Sequence, residues 1–346
     1  MKKKIFILCI FAFTAAILCA VYSVYASIQL WTYPGPDVVF KINPGEPFSK
    51  INYRLAQKGI LSSPKVFFRY AKINNLLTSF KSGNYLIKHN SNMLDVIETL
   101  INGVAITVKV TLPEGKNLFE IGKILEKNGI CSYDQFVKLA KNPDFTKQMG
   151  INADRVEGYL YPDTYNFSPN SAPDIVIKTM LKEFVHKTEH VNFKLSTMSK
   201  QQVITLASIV EKETGAAHER PVIAGVFLNR LEKRMRLQTD PTIIYGIFEH
   251  FDGNIQIKHK LEVTPYNTYK IDGLPRGPIC NPGIDAIMAV LNPVRHDFLY
   301  FVSKNDGTHL FSATYKDHIE GVNKFQKDRR NRIGKSWRDL KQDSSN

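Results

Sequence analysis

Cysteine is scarce in this sequence, with four in 346 residues. Cys9 and Cys19 fall in an apolar N-terminal run without a lipobox-like setting, and Cys131 and Cys280 stand 149 positions apart. Two such thiols make no disulfide framework even in an oxidising compartment, so they read as small apolar residues. No G-x-S-x-G and no Cys/His arrangement occurs, which removes the usual signatures of serine and thiol hydrolases. Acids are outnumbered too, 32 against 46 Lys and Arg, for a net charge of +14. A basic surface of that size concentrates anionic ligands. One metal-like pattern is present, His186-Lys187-Thr188-Glu189-His190, which spells H-x-x-E-H. Its histidines could chelate only if one helix carried both. Val191-Asn192-Phe193 points to a helix ending there, and no acidic ligand helix follows. The expectation is neither metal nor cofactor.

What is abundant is apolar length at the start. Lys2-Lys3-Lys4 precedes an uncharged run to Pro36, whose apolar part, Ile5 to Ile28, is long enough to span a bilayer as one helix. Trp31 and Tyr33 fall where an interfacial aromatic belt would lie, and the lysines argue for a cytoplasmic N-terminus. Val24-Tyr25-Ala26 would also serve as a signal-peptide cleavage site. The apolar run exceeds the usual h-region of about 7–15 residues, which favours an uncleaved anchor. Everything after Trp31 is then outside the cytoplasmic membrane. There nucleic acid is not a partner, and an anionic polymer or a membrane surface is. The Lys- and Arg-rich stretch Lys324–Lys341 reads as a solvated helix face.

Beyond a short linker, Tyr33-Pro34-Gly35-Pro36, a pattern repeats at an offset of 70 residues. Ile51, Leu55, Gly59 and Ile60 correspond to Ile121, Leu125, Gly129 and Ile130, and the turn at Pro44-Gly45 corresponds to Pro113-Glu114-Gly115. Two copies of a strand–helix–helix unit are predicted. Strand, turn and helix with a Gly stop resemble the LysM-type glycan-binding module; a purely structural repeat fits equally. The next stretch, Glu157-Gly158-Tyr159-Leu160-Tyr161-Pro162-Asp163-Thr164-Tyr165, mixes rings with polar groups and has no helical or strand period. Such a mixture suits sugar recognition or a packed loop.

The helix around which the chain is organised covers Val203 to Val210, apolar on nearly every side, with Ser199 and Gln202 as a capping box and Gly215 as its stop. Glu211 then falls in the last turn of a buried helix. Burial and the helix dipole both disfavour a carboxylate there, as a general acid requires. A helix-end ion pair with Lys or Arg is the competing reading. Glu213, about 200° further round, should face elsewhere. After it come a helix over Glu219–Lys233, a short helix from Asp240 through Tyr245 with Asp240 as cap, and a helix Ile284–Leu291 capped by Asn281. Phe298–Ser303 and His309–Ser312 flank a hairpin turn, and a basic helix starts near Lys316. Hydrolytic glycosidases ordinarily use two carboxylates. One buried-end Glu among amides and hydroxyls suits a nucleophile supplied by the substrate, unless Asp163 or Asp240 is a second carboxylate.

Four ordered motifs make the resemblance specific: Ala207-Ser208-Ile209-Val210-Glu211-Lys212-Glu213-Thr214, Arg236-Leu237-Gln238-Thr239-Asp240-Pro241-Thr242, Tyr266-Asn267-Thr268-Tyr269, and Gly273-Leu274-Pro275 with Asn281-Pro282-Gly283. Together they resemble the YceG-like family of endolytic murein transglycosylases over essentially the whole chain; Arg276 departs from a proline common in the family. The resemblance implies an α+β fold with a single N-terminal transmembrane helix, LysM-like α/β modules and a mixed α+β catalytic domain. The boundaries expected are a cytoplasmic tail 1–4, an anchor 5–28, a linker 29–37, a LysM-like domain 38–110, a second small α/β unit 111–155, and a catalytic domain 156–346 closing on a basic helix. It implies non-hydrolytic cleavage of the MurNAc-β-1,4-GlcNAc bond to leave 1,6-anhydro ends. Glu211 matches the family's catalytic Glu, while Gln238, Thr239, Asp240, Tyr266, Asn267, Tyr161, Asp163 and Asn281 are candidates for holding sugars. Implied partners are peptidoglycan strands, the cytoplasmic (inner) membrane and peptidoglycan synthases, with the catalytic domain on the periplasmic or extracellular side. A membrane-tethered scaffold that binds strands without cutting, and a hydrolytic muramidase, are the alternatives.

Overall fold

In the computed structural model, which describes residues 2–103 and 106–328, the chain opens with an apolar helix, α1 (Lys2–Tyr25), prolonged by a wider turn over Ala26–Leu30. Phe6–Leu30 is long and apolar enough to cross a membrane, and its large side chains are exposed. Length and composition fit an anchor and a signal sequence alike. The polypeptide divides into two units, Met1–Val108 with Asn166–Pro169, and Lys109–Tyr165 with Asn170–Asn346.

In the first unit β1 (Val38–Ile42) pairs antiparallel with β2 (Gly83–Ile87), Val38 opposite Ile87 and Ile42 opposite Gly83. Between them run α2 (Phe48–Gln57) and α3 (Pro64–Ile73), and α4 (Met93–Ile101) follows. The α2 positions Phe48, Ile51 and Leu55 lie one helical turn apart, so they share one face and bury it. Phe48 stacks on Phe67 with ring centroids 5.4 Å apart. Ser63 caps α3 by accepting from the Val66 amide, and Pro64 takes the first helical position, where no N–H is missed.

The second unit opens by repeating this plan. After β3 (Val108–Thr111) come α5 (Leu118–Lys127) and α6 (Tyr133–Ala140), with α5 displaced from α2 by 70 residues at both ends. The stops match as well: Gly59 has φ +67° and Gly129 φ +68°. In each copy the next amide closes back on a leucine carbonyl, Ile60 on Leu55 at 3.0 Å and Ile130 on Leu125 at 2.9 Å. Only glycine adopts that backbone without a Cβ penalty, so the helix ends there and turns its following isoleucine inward. α7 (Pro143–Gln148), capped by Asn142, comes next. The aromatic stretch at Glu157–Tyr165 leads into β4 (Thr164–Phe167), a strand its lack of period concealed. α8 (Pro173–Lys187) ends with Thr188 as its cap. His186 and His190 are therefore not one turn apart on a helix; each ring meets a neighbouring glutamate, Glu183 at 3.5 Å and Glu189 at 3.0 Å.

The centre of the second unit is α9 (Lys200–Glu213), buried continuously from Val203 to Val210. The capping box is formed: Ser199 accepts from the Gln202 amide and Gln202 from the Ser199 amide. Thr214, in extended conformation, ends the helix, so Gly215 is not its stop and Glu213 is the last helical residue. Against α9 pack α10 (Arg220–Glu232), α11 (Asp240–Gly246) and α13 (Ile284–Leu291). A short helix α12 (Ile257–Leu261) precedes α13. The hairpin β5 (Tyr300–Ser303) and β6 (His309–Ser312) turns at Asn305 and Gly307, which carry φ +64° and +88°. α14 (Tyr315–Val322) runs on into a wider turn over Asn323–Lys327; most of the Lys- and Arg-rich stretch Lys324–Lys341 lies outside the described residues. Cys131 and Cys280 are both free and buried, and burial pushes the Cys131 thiol up to about 11.

Candidate active site

A cleft of about 400 Å³ opens in the second unit where the end of α9 meets the segment before α11. Glu213 reaches it together with Gln238, Thr239, Asp240, Tyr269 and Tyr300. The Gln238 backbone takes a left-handed turn (φ +50°), and its amide donates to the Thr268 carbonyl at 3.2 Å. That turn aims the Thr239 hydroxyl at Glu213, to which it donates. Thr239 is held in turn: its amide donates to Thr268 Oγ1 (3.0 Å), and its carbonyl accepts from the Thr242 hydroxyl (2.7 Å). Asp240 does not cap α11. Thr239 occupies the cap position, and the Asp240 carboxylate accepts from the Tyr269 hydroxyl at 2.7 Å and meets Lys260 Nζ at 3.3 Å.

Burial is the largest influence on Glu213 and pushes its carboxyl above the usual range, and Asp240 adds to the rise. The Thr239 hydroxyl, His309 and Arg230 pull the other way. Arg230 is itself fixed, donating to the carbonyls of Leu299 (2.6 Å) and Leu237 (2.9 Å) and lying over the Tyr300 ring. The arrangement is a carboxyl raised by burial beside hydroxyls, an amide and a second, more open carboxylate.

Glu211 faces a different set of groups. Its carboxylate accepts from Arg220 Nη2 at 2.9 Å and from the Gly283 amide at 3.1 Å. The same guanidinium reaches Glu114 at 3.7 Å and Asp285 at 3.6 Å. Burial, then repulsion from Glu211, raises the Glu114 carboxyl. Asn281 is a structural tie rather than the cap of α13, which is Gly283. It accepts from the amides of Gly158 (2.8 Å) and Leu160 (2.9 Å) and donates to Glu157 (2.8 Å) and the Lys116 carbonyl (2.9 Å). Asn267 donates to the carbonyls of His259 (3.1 Å) and Glu262, closing the end of α12. Tyr266 packs edge-on against Tyr245 with centroids 4.7 Å apart. Tyr161 is buried, and its carbonyl accepts from the Tyr165 hydroxyl. Asp163 is held below the ordinary carboxylate range by the Thr164 amide and Lys187. Among the sequence candidates, Gln238, Thr239 and Asp240 line the cleft with Glu213; the others do not line it.

Glu213 and Tyr269 were in plain view, each in a motif that supplied another residue instead. The end of α9 is the signal that the sequence withholds: Glu213 is the final helical residue and lines the cleft, while Glu211 pairs with Arg220.

The sequence profile of the YceG-like family matches residues 40–324. The chain belongs to the YceG-like family. Among relatives of this YceG-like chain is a Bacillus subtilis protein named endolytic murein transglycosylase, 33% identical over 309 residues, covering 83% of this chain and 84% of the relative. A Streptococcus pneumoniae (strain D39) protein of the same name is 27% identical over 319 residues, covering 82% of this chain and 58% of its own length. A crystal structure of a yceG-like protein of Listeria monocytogenes is similar to it with a TM-score of 0.57 and 32% identity, over 82% of this chain and 98% of that one.

Proposed function

We propose that this chain is an endolytic murein transglycosylase that cuts the MurNAc-β-1,4-GlcNAc bond within peptidoglycan strands, with Glu213 as its acid and base. The observation that carries this reading is the half-buried Glu213 carboxyl, raised by desolvation, in the cleft with Gln238, Thr239 and Asp240; the names of the relatives supply the substrate class. Protonated Glu213 gives its proton to the glycosidic oxygen as the C1–O bond breaks. The muramyl C6 hydroxyl oxygen then bonds to C1, and its proton returns to the Glu213 carboxylate. One 1,6-anhydro end and one free 4-hydroxyl result, and no water is consumed. Asp240, held by Tyr269 and Lys260, stabilises the positive charge that develops at the anomeric carbon.

On this reading Glu211, which matches the family's catalytic Glu by resemblance, braces α9, α10 and the Glu114 turn through Arg220. On this reading α1 anchors the chain in the cytoplasmic membrane with the cleft outside, the two repeats are LysM-like contacts for the strand, and cutting ends strands made by nearby synthases. Because Asp240 shares the cleft, a muramidase using it as second carboxylate is the alternative that product chemistry must separate. Mass spectrometry of strands digested by wild type, Glu213→Gln and Glu211→Gln makes the separation. Anhydro-muramyl ends from wild type, lost by about a thousandfold in Glu213→Gln, are expected. Reducing ends would make the protein a hydrolase, and full activity in Glu213→Gln would end the assignment.

A further inference from the structure

At the other end of α11 lies a second, smaller cavity of about 270 Å³. α11 has seven residues, so this slot sits about 10 Å along the helix from the cleft at Asp240. Its walls are rings: Phe119 and Phe248 stack with centroids 5.1 Å apart and planes 13° from parallel, and Tyr266 meets Tyr245 edge-on. Cations sit over those rings, Lys141 over Phe119 at 5.4 Å and Arg155 over Tyr266 at 5.7 Å, and Arg276 also lines the slot.

The charge there is not balanced internally. Lys141 is paired with Glu249 (3.4 Å) and Arg276 with Asp154. Arg155 has no carboxylate within ion-pair distance among the described residues, only the Tyr245 hydroxyl at 3.5 Å. Glu157 attracts it from further away but is taken up by the Leu118 amide (2.9 Å) and the Asn281 amide (2.8 Å). A half-buried guanidinium 5.7 Å from a ring centre, with no carboxylate paired to it among the described residues, is a receptor for an oxyanion, because carboxylates match its fork of donors. The flanking rings would cover an apolar body attached to that anion.

We propose that this slot binds a carboxylate of the peptide stem carried by the glycan strand, with Arg155 as the principal contact and Arg276 at the rim. The proposal rests on the transglycosylase reading above, which supplies the strand. A stem hanging from a muramyl residue near the cleft has the reach to enter a site about 10 Å away. Entry would fix which muramyl unit is presented to Glu213 without touching the reacting atoms, so Arg155 is a specificity residue and not a catalytic one.

Steady-state cleavage by the full chain in detergent tests this on three substrates: strands with free-acid stems, strands with stem carboxylates converted to amides, and strands stripped of stems by an amidase. Arg155→Gln should raise KM about tenfold on free-acid stems, the scale of one lost charge-assisted hydrogen bond, with kcat unchanged. The same variant should leave KM unchanged on amidated and stripped strands. Arg155→Lys should recover part of the loss. Arg276→Gln, at an exposed position that cannot unfold the core, should raise KM about threefold on free-acid stems alone. An equal rise on stripped strands would make the slot a structural or sugar-binding feature, and no change on free-acid stems in either variant would remove it from recognition. If wild type cuts none of the three substrates, the transglycosylase reading itself falls and takes the slot with it.

Discussion

Glu114, Glu157 and Glu213, all in the second unit, are raised by burial, and the last two lie in opposite settings. Glu213 opens on the cleft, so the kcat/KM profile should fall as pH rises through its elevated pKa and the acid loses its proton. Asp240 contributes to that elevation; Asp240→Asn should therefore move the alkaline limb to lower pH, and a limb that stays put would place the proton donor elsewhere. Glu157 is fully enclosed and raised to about 7, burial outweighing the Leu118 amide, Tyr245, Arg155 and Asn281. Its folded-state pKa lies above its unfolded value. The stability it confers is thus complete below about pH 4.5, is lost as pH rises toward 7, and is constant beyond. Urea melts at pH 5 and 7.5 should differ by up to roughly 3 kcal/mol from this group, and Glu157→Gln should flatten that difference. A wild-type slope that survives in Glu157→Gln would assign the pH dependence to other groups. Glu211→Gln should cost stability, because Arg220 would lose its closest carboxylate while still bounded by Glu114 and Asp285.

At the scale of elements, what the sequence revealed was what is local. Ser199 with Gln202 marked the start of α9, and the helix predicted over Ile284–Leu291 is α13 to the residue. Ser199→Ala should lower the melting temperature through a loss of about 1 kcal/mol, read by thermal denaturation against wild type. Elements that depend on distant partners were not legible. α12 has its last carbonyls satisfied by Asn267, several residues beyond its end, so no local stop signal exists. Asn281 looked like a helix cap because Pro282 follows it, yet its side chain is consumed by Gly158, Leu160 and Glu157. Gly158 shows the same non-local logic in its backbone: it has φ +87°, and a Cβ there would strike Pro278 and Ile204. Gly158→Ala should consequently destabilise by more than a helix-cap loss, and a melting temperature equal to wild type would contradict the packing described. The site was legible as a set of motifs but not as a geometry. Gln238-Thr239-Asp240 could be named from sequence, whereas which of two glutamates two residues apart meets that segment, Glu213 through the Thr239 hydroxyl, depends on tertiary packing.

At the scale of the whole molecule, α1 runs into a stretch, Phe6–Leu30, long and apolar enough to cross a membrane. Membrane fractionation should leave the full chain in the pellet through carbonate extraction, and deletion of residues 1–30 should release it to the supernatant. Release of the full chain would instead mark α1 as a cleaved signal. The internal duplication was readable from its 70-residue offset because both copies bury the same positions, Ile51 with Leu55 and Ile121 with Leu125. Nothing in that offset disclosed that the copies had parted company. Around the missing side chain of Gly45 there is open space within 4 Å, while that of Gly115 would lie 3.7 Å from both Glu211 and Lys212. The Gly115 amide also donates to the Asn281 carbonyl at 3.0 Å. The two turns therefore carry different constraints. The earlier one has room for change around it so long as its backbone angle is kept, and the later one is tied to the last turn of α9. Across descendants of this chain, variation should accumulate in one duplicate and be silent in the other.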